Sequence, residues 1–285
     1  MKKNINTVKT ILDALPFIKK FTNKIIVIKY GGAAQTNPEL KKSFAKDIAL
    51  LYLVGIKPVI VHGGGKRINL MLDKLKIPTT FYDGQRVTTK EVMEIVEMVL
   101  SGSINKEITT FLNHHGVKAI GVSGKDANFI KAKHKDKKNF GYTGIITEIQ
   151  NQVIQNLIDE NFVPVIAPIG SGDTIDHIGY NINADLAASK IAIALKAQKV
   201  MFLTDTMGVL DKEKKLLSTL TKRQIENYKK DGTISGGMIP KVDSCIEAIN
   251  NGVKKAHIID GRIEHSILLE LFTNEGIGTV IRTKD

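Results

Sequence analysis

The sequence has a single cysteine, Cys245, so it can form no intramolecular disulfide. That fits a chain working in the reducing cytoplasm. No apolar run approaches the roughly 20 residues that a membrane-spanning helix needs. Lys2 and Lys3 open the chain, but no apolar stretch of about 7–15 residues follows, and no signal peptide is read. Arginine is scarce: Arg67, Arg86, Arg223, Arg262 and Arg282 are the only five among 41 basic residues. The net charge of +12 therefore rests on lysines spread along the chain. The densest cluster, residues 131–138, contains Asp136 and no aromatic residue on which a base could stack. Charge alone would allow nucleic acid. This pattern favours instead a solvated lysine-rich surface, equally compatible with small anionic substrates. The seven histidines show no ligand spacing, so no metal cluster is expected. Repeats of about 20–50 residues and low-complexity linkers are missing as well.

What is present is a chain of 285 residues, 42% hydrophobic, enough for one large α/β domain or two lobes. Ile25-Ile26-Val27-Ile28 is a β-branched run that reads as a strand buried on both faces. It ends at Lys29, and Gly31-Gly32 follow before a helix opens at Asn37-Pro38. Strand, glycine turn and helix start gather backbone N–H groups around a concavity suited to an anion, and Lys29 would add positive charge. The same residues would also make an ordinary tight turn with Lys29 snorkelling to solvent. The pattern recurs at once: Pro58-Val59-Ile60-Val61 runs into His62-Gly63-Gly64-Gly65 and another helix. Two such turns are stronger evidence than one, because the carboxyl edge of a parallel sheet is where ligands bind. Neither turn is a Walker A loop, since Lys66 is followed by Arg67, and neither completes G-x-G-x-x-G. Gly121-x-x-Gly124-Lys125 fails likewise, at Asp126.

Upstream, Val8, Ile11, Leu12, Leu15 and Ile18 share one helical face, and Pro16 is expected to kink or break that helix near Leu15. The helix either packs on its own domain or reaches a partner subunit. Thr88 and Glu91 read as a capping box for a helix with Val92, Ile95, Val96 and Val99 inward. A second helix follows from about 104 to 113. Arg86 could hold a carboxylate through two parallel hydrogen bonds, although local sequence favours a surface ion pair. Residues 119–123 and 163–167 read as strands, with a lysine-tipped hairpin excursion over 129–149 between them. Asn181-Ile182-Asn183-Ala184-Asp185 opens a helix through Ala197, with Asp185 in the first turn, a common place for an acid. Residues 199–205 read as a strand leading to a turn at Gly208, and Thr221 with Gln224 caps a short helix. The glycine-rich run 232–237 opens a helix whose first turn holds Pro240 and Lys241. A cation there works against the helix dipole, a hint that an anion belongs nearby. Cys245 shares an apolar face with Val242, Ile246 and Ile249 and reads as core. Residues 256–260 read as a last parallel strand and Val280-Ile281 as an edge strand.

Six runs, Ile-Lys-Tyr-Gly-Gly at 28–32, Val-His-Gly-Gly-Gly at 61–65, Gly-Gln-Arg-Val-Thr at 84–88, Gly-Val-Ser-Gly-Lys-Asp at 121–126, Asn-Ile-Asn-Ala-Asp at 181–185 and Gly-Gly-Met-Ile-Pro-Lys at 236–241, occur in this order. With them the chain resembles the amino-acid kinase family over about residues 5–283, and within it the branch that phosphorylates N-acetyl-L-glutamate. The resemblance implies a three-layer αβα open sandwich with a mainly parallel central sheet. It implies an oligomerisation helix over 1–21, an N-terminal lobe over 22–170 for N-acetyl-L-glutamate and dimerisation, and a C-terminal lobe over 171–285 for ATP. The reaction implied is ATP-dependent phosphorylation of the side-chain carboxylate, a step of arginine biosynthesis. By the same resemblance Lys29 and Lys241 neutralise the phosphoryl group and Asp185 holds both lysines. Gly64, Gly65, Arg86 and Asn181 would bind substrate. Gly31, Gly32, Thr204, Asp205, Gly208, Val209, Thr233, Ile234 and Ser235 would contact the nucleotide, whose Mg²⁺ would need no protein cage.

The helix with Ala14-Leu15-Pro16-Phe17-Ile18 and the run from His257 to Thr279 resemble the arginine-inhibited branch, a hexamer built as a trimer of dimers. That implies Lys199, His265, Glu275 and Gly278 as contacts for L-arginine. Phe17 stands where many relatives have tyrosine, which removes a hydroxyl from that site. Carbamate, uridylate, glutamate and aspartate kinases are the near alternatives, and Arg86 with the 181–185 run favours acetylglutamate.

Overall fold

The first strand is buried on both faces, and its side chains alternate between two cores. The structure, a computed structural model, describes residues 2–82, 84–174 and 177–283. On the strand Ile25–Tyr30, the side chains of Ile26, Ile28 and Tyr30 enter one core, under the helices Pro38–Leu53 and Asn105–His114. Val27 enters the other, under the helices Ala184–Ala194 and Met238–Asn250. Lys29 lies two residues beyond Val27, so it emerges on the Ala184–Ala194 side at the strand's carboxyl end.

Eight strands form the central sheet, in the order Thr219–Thr221, Thr279–Arg282, Lys255–Asp260, Lys199–Thr204, Ile25–Tyr30, Lys57–His62, Val163–Ala167 and Ala119–Ser123. The last six in that order are mutually parallel. The mainly parallel αβα sandwich expected from the sequence is the fold observed. Tyr30 sits beside His62 and Lys29 beside Phe202, so both glycine turns leave the sheet at the same edge. Thr279–Arg282 runs antiparallel to Lys255–Asp260 and is not the edge strand expected, because Thr219–Thr221 pairs outside it. That outer strand has only three residues, too few to carry a periodic signal. A second, four-stranded sheet joins the hairpin Ile130–His134 and Thr143–Ile149 to Tyr180–Ile182 and Ile169–Gly170. The tip of the hairpin is a short helix, Lys137–Phe140, capped by Asp136.

Three helical expectations change. The helix Lys2–Phe21 runs through Pro16 without a break. Proline there removes the partner of the Leu12 carbonyl, and at exposed Leu12 water can take its place. The helices Lys90–Glu97 and Asn105–His114 run into one another through a π-helical turn, Met98–Ile104. The cap of the first is Thr89, whose Oγ1 accepts from the Val92 amide, and Thr88 is buried instead. The helix opened by Asn183 stops at Ala194, because Lys196 takes a left-handed conformation. Cys245 is fully buried, and burial pushes its thiol pKa up, as a core residue requires.

Asn105 ties the π-helical region to the sheet. Its side-chain amide donates to the Val165 carbonyl at 2.8 Å and lies 3.2 Å from His62 Nε2. Burial brings His62 down to about 4, so the ring is neutral near pH 7. Asn105→Ala would strand both partners in the core at a cost of about 1–3 kcal/mol. A denaturant titration should show that loss in the midpoint with an unchanged slope.

Candidate active site

The helix Ala184–Ala194 begins at the carboxyl edge of the sheet. Asn183 Oδ1 caps it by accepting from the amides of Asp185 and Leu186 at 2.9 and 3.1 Å. That cap fixes Asp185 in the first turn, pointing at the strand that carries Lys29. Lys29 Nζ lies 3.1 Å from Asp185 Oδ1, and Lys241 Nζ donates to Oδ2 at 2.6 Å. All three side chains are largely buried. Burial alone would raise the pKa of Asp185. The two ammonium groups outweigh it and bring the carboxyl down to about 2. One carboxylate thus holds two cations, and the site keeps a net positive charge.

Three of the glycines around it, Gly31, Gly32 and Gly64, are closely approached by other atoms. A Cβ on Gly31 would come within 2.9 Å of Lys29 Nζ. Gly32 has φ +65°, and a Cβ there would collide with the Asp205 carboxylate, which accepts from the Ala33 amide at 2.6 Å. At the second turn, a Cβ on Gly64 would strike Leu100 and Ile104 of the π-helical segment, whereas Gly65 faces open space. The first helical amides after Gly64 receive no side-chain cap.

Gly64, Gly65, Arg86 and Asn181 line one cavity of about 220 Å³. Arg86 is buried, not the surface ion pair that local sequence favoured. Its guanidinium donates to neutral oxygens of Thr79 and Asn69 and lies over the Phe81 ring. A buried guanidinium held by neutral groups is ready for an anionic partner. Asn181 is aimed by Thr88, whose Oγ1 accepts from its amide at 3.1 Å. Thr88 in turn lies 2.9 Å from the Thr143 hydroxyl.

The residues expected at the nucleotide are placed as follows. Gly31 borders Lys29, and Asp205 meets Gly32 from just beyond the strand Lys199–Thr204. The Thr204 carbonyl accepts from the Gly261 amide at 2.8 Å. Gly208 has φ +146° and packs against Thr279, whose hydroxyl accepts from the Val209 amide. The Thr233 amide donates to Asp231 and the Ile234 amide to the Tyr228 carbonyl, while the Ser235 carbonyl accepts from Met238. The amides of 209, 233 and 234 are therefore already engaged.

The four residues expected at an effector surround one short helix, Ser266–Phe272. His265 precedes it at φ +57°, with Nδ1 at 2.6 Å from Asp47 Oδ1. Glu275 and Gly278 follow it, Glu275 exposed and Gly278 packed on the Ile258 carbonyl. Buried Lys199 lies over the Phe21 ring, and burial brings its ammonium down to about 8 against the pull of Glu270. Sequence reasoning gave no role to Glu270 and His257, which are buried and 2.6 Å apart. Burial lowers the His257 pKa, so a neutral imidazole faces the Glu270 carboxylate. The available signal was an acid inside the apolar run Ile-Leu-Leu-Glu-Leu-Phe at 267–272.

Residues 24–260 match the model of the amino acid kinase family. The chain belongs to the amino acid kinase family. It is 70% identical over 281 residues to the acetylglutamate kinase of Nitratiruptor sp., covering 99% of both chains. It is 60% identical to that of Wolinella succinogenes, again over 99% of both. Among solved structures of similar fold, a carbamate kinase from Giardia lamblia bound to AMP-PNP matches 92% of this chain and 99% of its own at 20% identity, with a TM-score of 0.71. An N-acetylglutamate synthase from Neisseria gonorrhoeae matches 98% of this chain at 23% identity, with a TM-score of 0.87, and this chain spans 64% of it.

The low pKa of Asp185 has a pH signature. A carboxyl depressed from 3.8 to about 2 stabilises the fold fully above its unfolded value, and that contribution is lost as pH falls through the folded one. Acid unfolding followed by circular dichroism should therefore be shallower between about pH 4 and 2 for Asp185→Asn than for the native chain. Superimposable acid limbs would remove the ion pairs from the account.

Proposed function

We propose that the chain is an acetylglutamate kinase, transferring the γ-phosphoryl group of ATP to the side-chain carboxylate of N-acetyl-L-glutamate. The observation that carries this reading is one buried carboxylate, Asp185, bridging two lysines from opposite ends of the chain. Family membership and the names of relatives 58–70% identical support the choice of substrate.

The reaction joins two anions. At about 4 Å, unit charges repel by roughly 4 kcal/mol at an effective dielectric of 20. Lys29, Lys241 and the glycine-turn amides offset that repulsion, so catalysis is positioning plus charge stabilisation. A carboxylate oxygen attacks the γ-phosphorus, the bond to the bridging oxygen of ADP breaks, and no proton has to move. No general base is therefore needed. Arg86 takes the α-carboxylate of the acceptor, and Asn181, Gly64 and Gly65 take its polar groups. Gly31, Gly32 and the turns at 204–209 and 233–235 take the nucleotide. Mg²⁺ travels with the ATP phosphates and keeps part of its water shell. The lobe boundary falls near residue 170, between the acceptor side and the nucleotide side. The reading places the enzyme in the cytoplasm.

L-Arginine, the end product, acts as feedback inhibitor beside Lys199, His265, Glu275 and Gly278. The helix Lys2–Phe21 interlaces dimers into a hexamer. Val8, Ile11, Leu12 and Leu15 stand exposed on that helix, a stripe with no cover in the single chain.

An ADP-release assay over acetylglutamate, carbamate, UMP, glutamate and aspartate should give turnover with acetylglutamate alone. Activity with another acceptor in its place would move the chain to a different branch. Lys29→Ala and Lys241→Ala should each lower kcat by at least about a hundredfold in a folded protein, as loss of one transition-state charge contact does. Near-native rates would take the lysines out of the mechanism. Removing residues 1–21 should leave an active dimer by light scattering, insensitive to millimolar arginine. A native-sized assembly would overturn the role of the helix.

A further inference from the structure

The glycine turn at 63–65 has a cavity on each side. One holds Arg86 and Asn181. The other, of about 380 Å³, extends to the helices Pro38–Leu53 and Asn105–His114. Its floor is apolar, with Phe44, Ile104, Ile108, Phe111 and Leu112. Its wall carries four basic groups, Lys29, Lys41, Lys66 and Arg67, and one acid, Glu107. Lys41 and Arg67 both pair with Glu107, and Arg67 also donates to Ser103 Oγ at 2.7 Å. Burial pushes the Glu107 carboxyl up, but the two cations outweigh it and hold it below its ordinary range. Glu107 therefore stays charged and keeps both cations converging at the rim.

The phosphoryl-transfer reading does not use the floor of this space. It assigns the acceptor to Arg86, Asn181, Gly64 and Gly65 and the nucleotide to Gly31, Gly32 and the turns at 204–209 and 233–235, so it shares the glycine wall of this cavity and leaves the apolar floor free. An apolar cavity of this size with a few convergent charges has the form of a small-molecule site. The ion pairs at the rim are about one-third exposed, and such pairs contribute little stability. An incoming anion can take Lys41 and Arg67 from Glu107 at small cost. A dicarboxylate would have to set its second charge against the apolar floor, so the cavity discriminates against the acceptor itself.

We propose that this cavity binds a small amphipathic monocarboxylate, with an aryl or branched-alkyl body on Phe44, Ile108 and Leu112 and its carboxylate at Lys41 and Arg67. Its wall includes Lys29 and Gly31, so occupancy opposes turnover. That consequence rests on the kinase reading, whereas binding does not.

Calorimetry on the full chain with 3-phenylpropanoate tests it. The acid should bind saturably, one per chain, and both 3-phenylpropan-1-ol and acetate should bind at least about tenfold more weakly. Ile108→Trp, which fills the floor, should weaken the acid at least about tenfold and leave the affinity for AMP-PNP within about twofold. Glu107→Gln, which frees the two cations, should tighten the acid. Absence of saturable binding to the native chain overturns the site, as does equal binding of the alcohol. Binding that survives in a folded Ile108→Trp also overturns it. Should the chain prove inactive as a kinase, these binding results stand unchanged; binding without inhibition of an active enzyme would remove only the link to turnover.

Discussion

A carboxylate buried between two ammonium groups is the interaction on which the rest of the site depends. Removing Asp185 from water is costly, and the cost is met only because Lys29 and Lys241 reach it from separate segments. Without the acid, two like charges would sit in a poorly solvated seam and repel. With it, they are held at a set spacing and still leave a surplus positive charge. The surrounding architecture serves that spacing. Parallel strands in register bring Lys29 to the sheet edge, Asn183 aims Asp185, and the helix Met238–Asn250 presents Lys241.

The glycine turns do a complementary job by lacking side chains. Gly31 leaves room for an ammonium group, Gly32 for a carboxylate, and Gly64 for the π-helical turn behind it. A π-helical turn widens the helix locally, and here it fills the space behind the turn that faces the Arg86 cavity. Leu100 and Ile104 pack against that turn from behind, the Gly63 amide donates to the Tyr30 carbonyl, and the first helical amides after Gly64 receive no side-chain cap.

The strand Lys199–Thr204 links the two ends of the C-terminal half. Lys199 begins it beside Glu270 and Phe21, and Thr204 ends it next to Asp205 at the lysine seam. A strand of this length spans roughly 17 Å and is paired on both sides. The short helix Ser266–Phe272 adds a second tie, since His265 at its start is clamped by Ser43 and Asp47 of the helix Pro38–Leu53.

Sequence by itself determined the local elements. β-Branched runs made the buried strands, Asn37, Asn183 and Thr221 capped their helices, and the glycine turns marked the carboxyl edge of the sheet, because each of these signals acts over a few residues. The same locality explains the errors. Thr88 has the chemistry of a cap and so does Thr89; only the path of the backbone decided that Thr89 caps and Thr88 holds Asn181. Arg86 looked like a surface group because burial cannot be seen in five residues. The contact of Lys29 and Lys241 through Asp185 joins residues more than two hundred apart, and periodicity carries no information at that range; a family resemblance anticipated it. The Glu270–His257 pair, the Glu107 clasp and the second cavity were decided by tertiary structure alone, since each depends on which faces three or more elements turn towards one another.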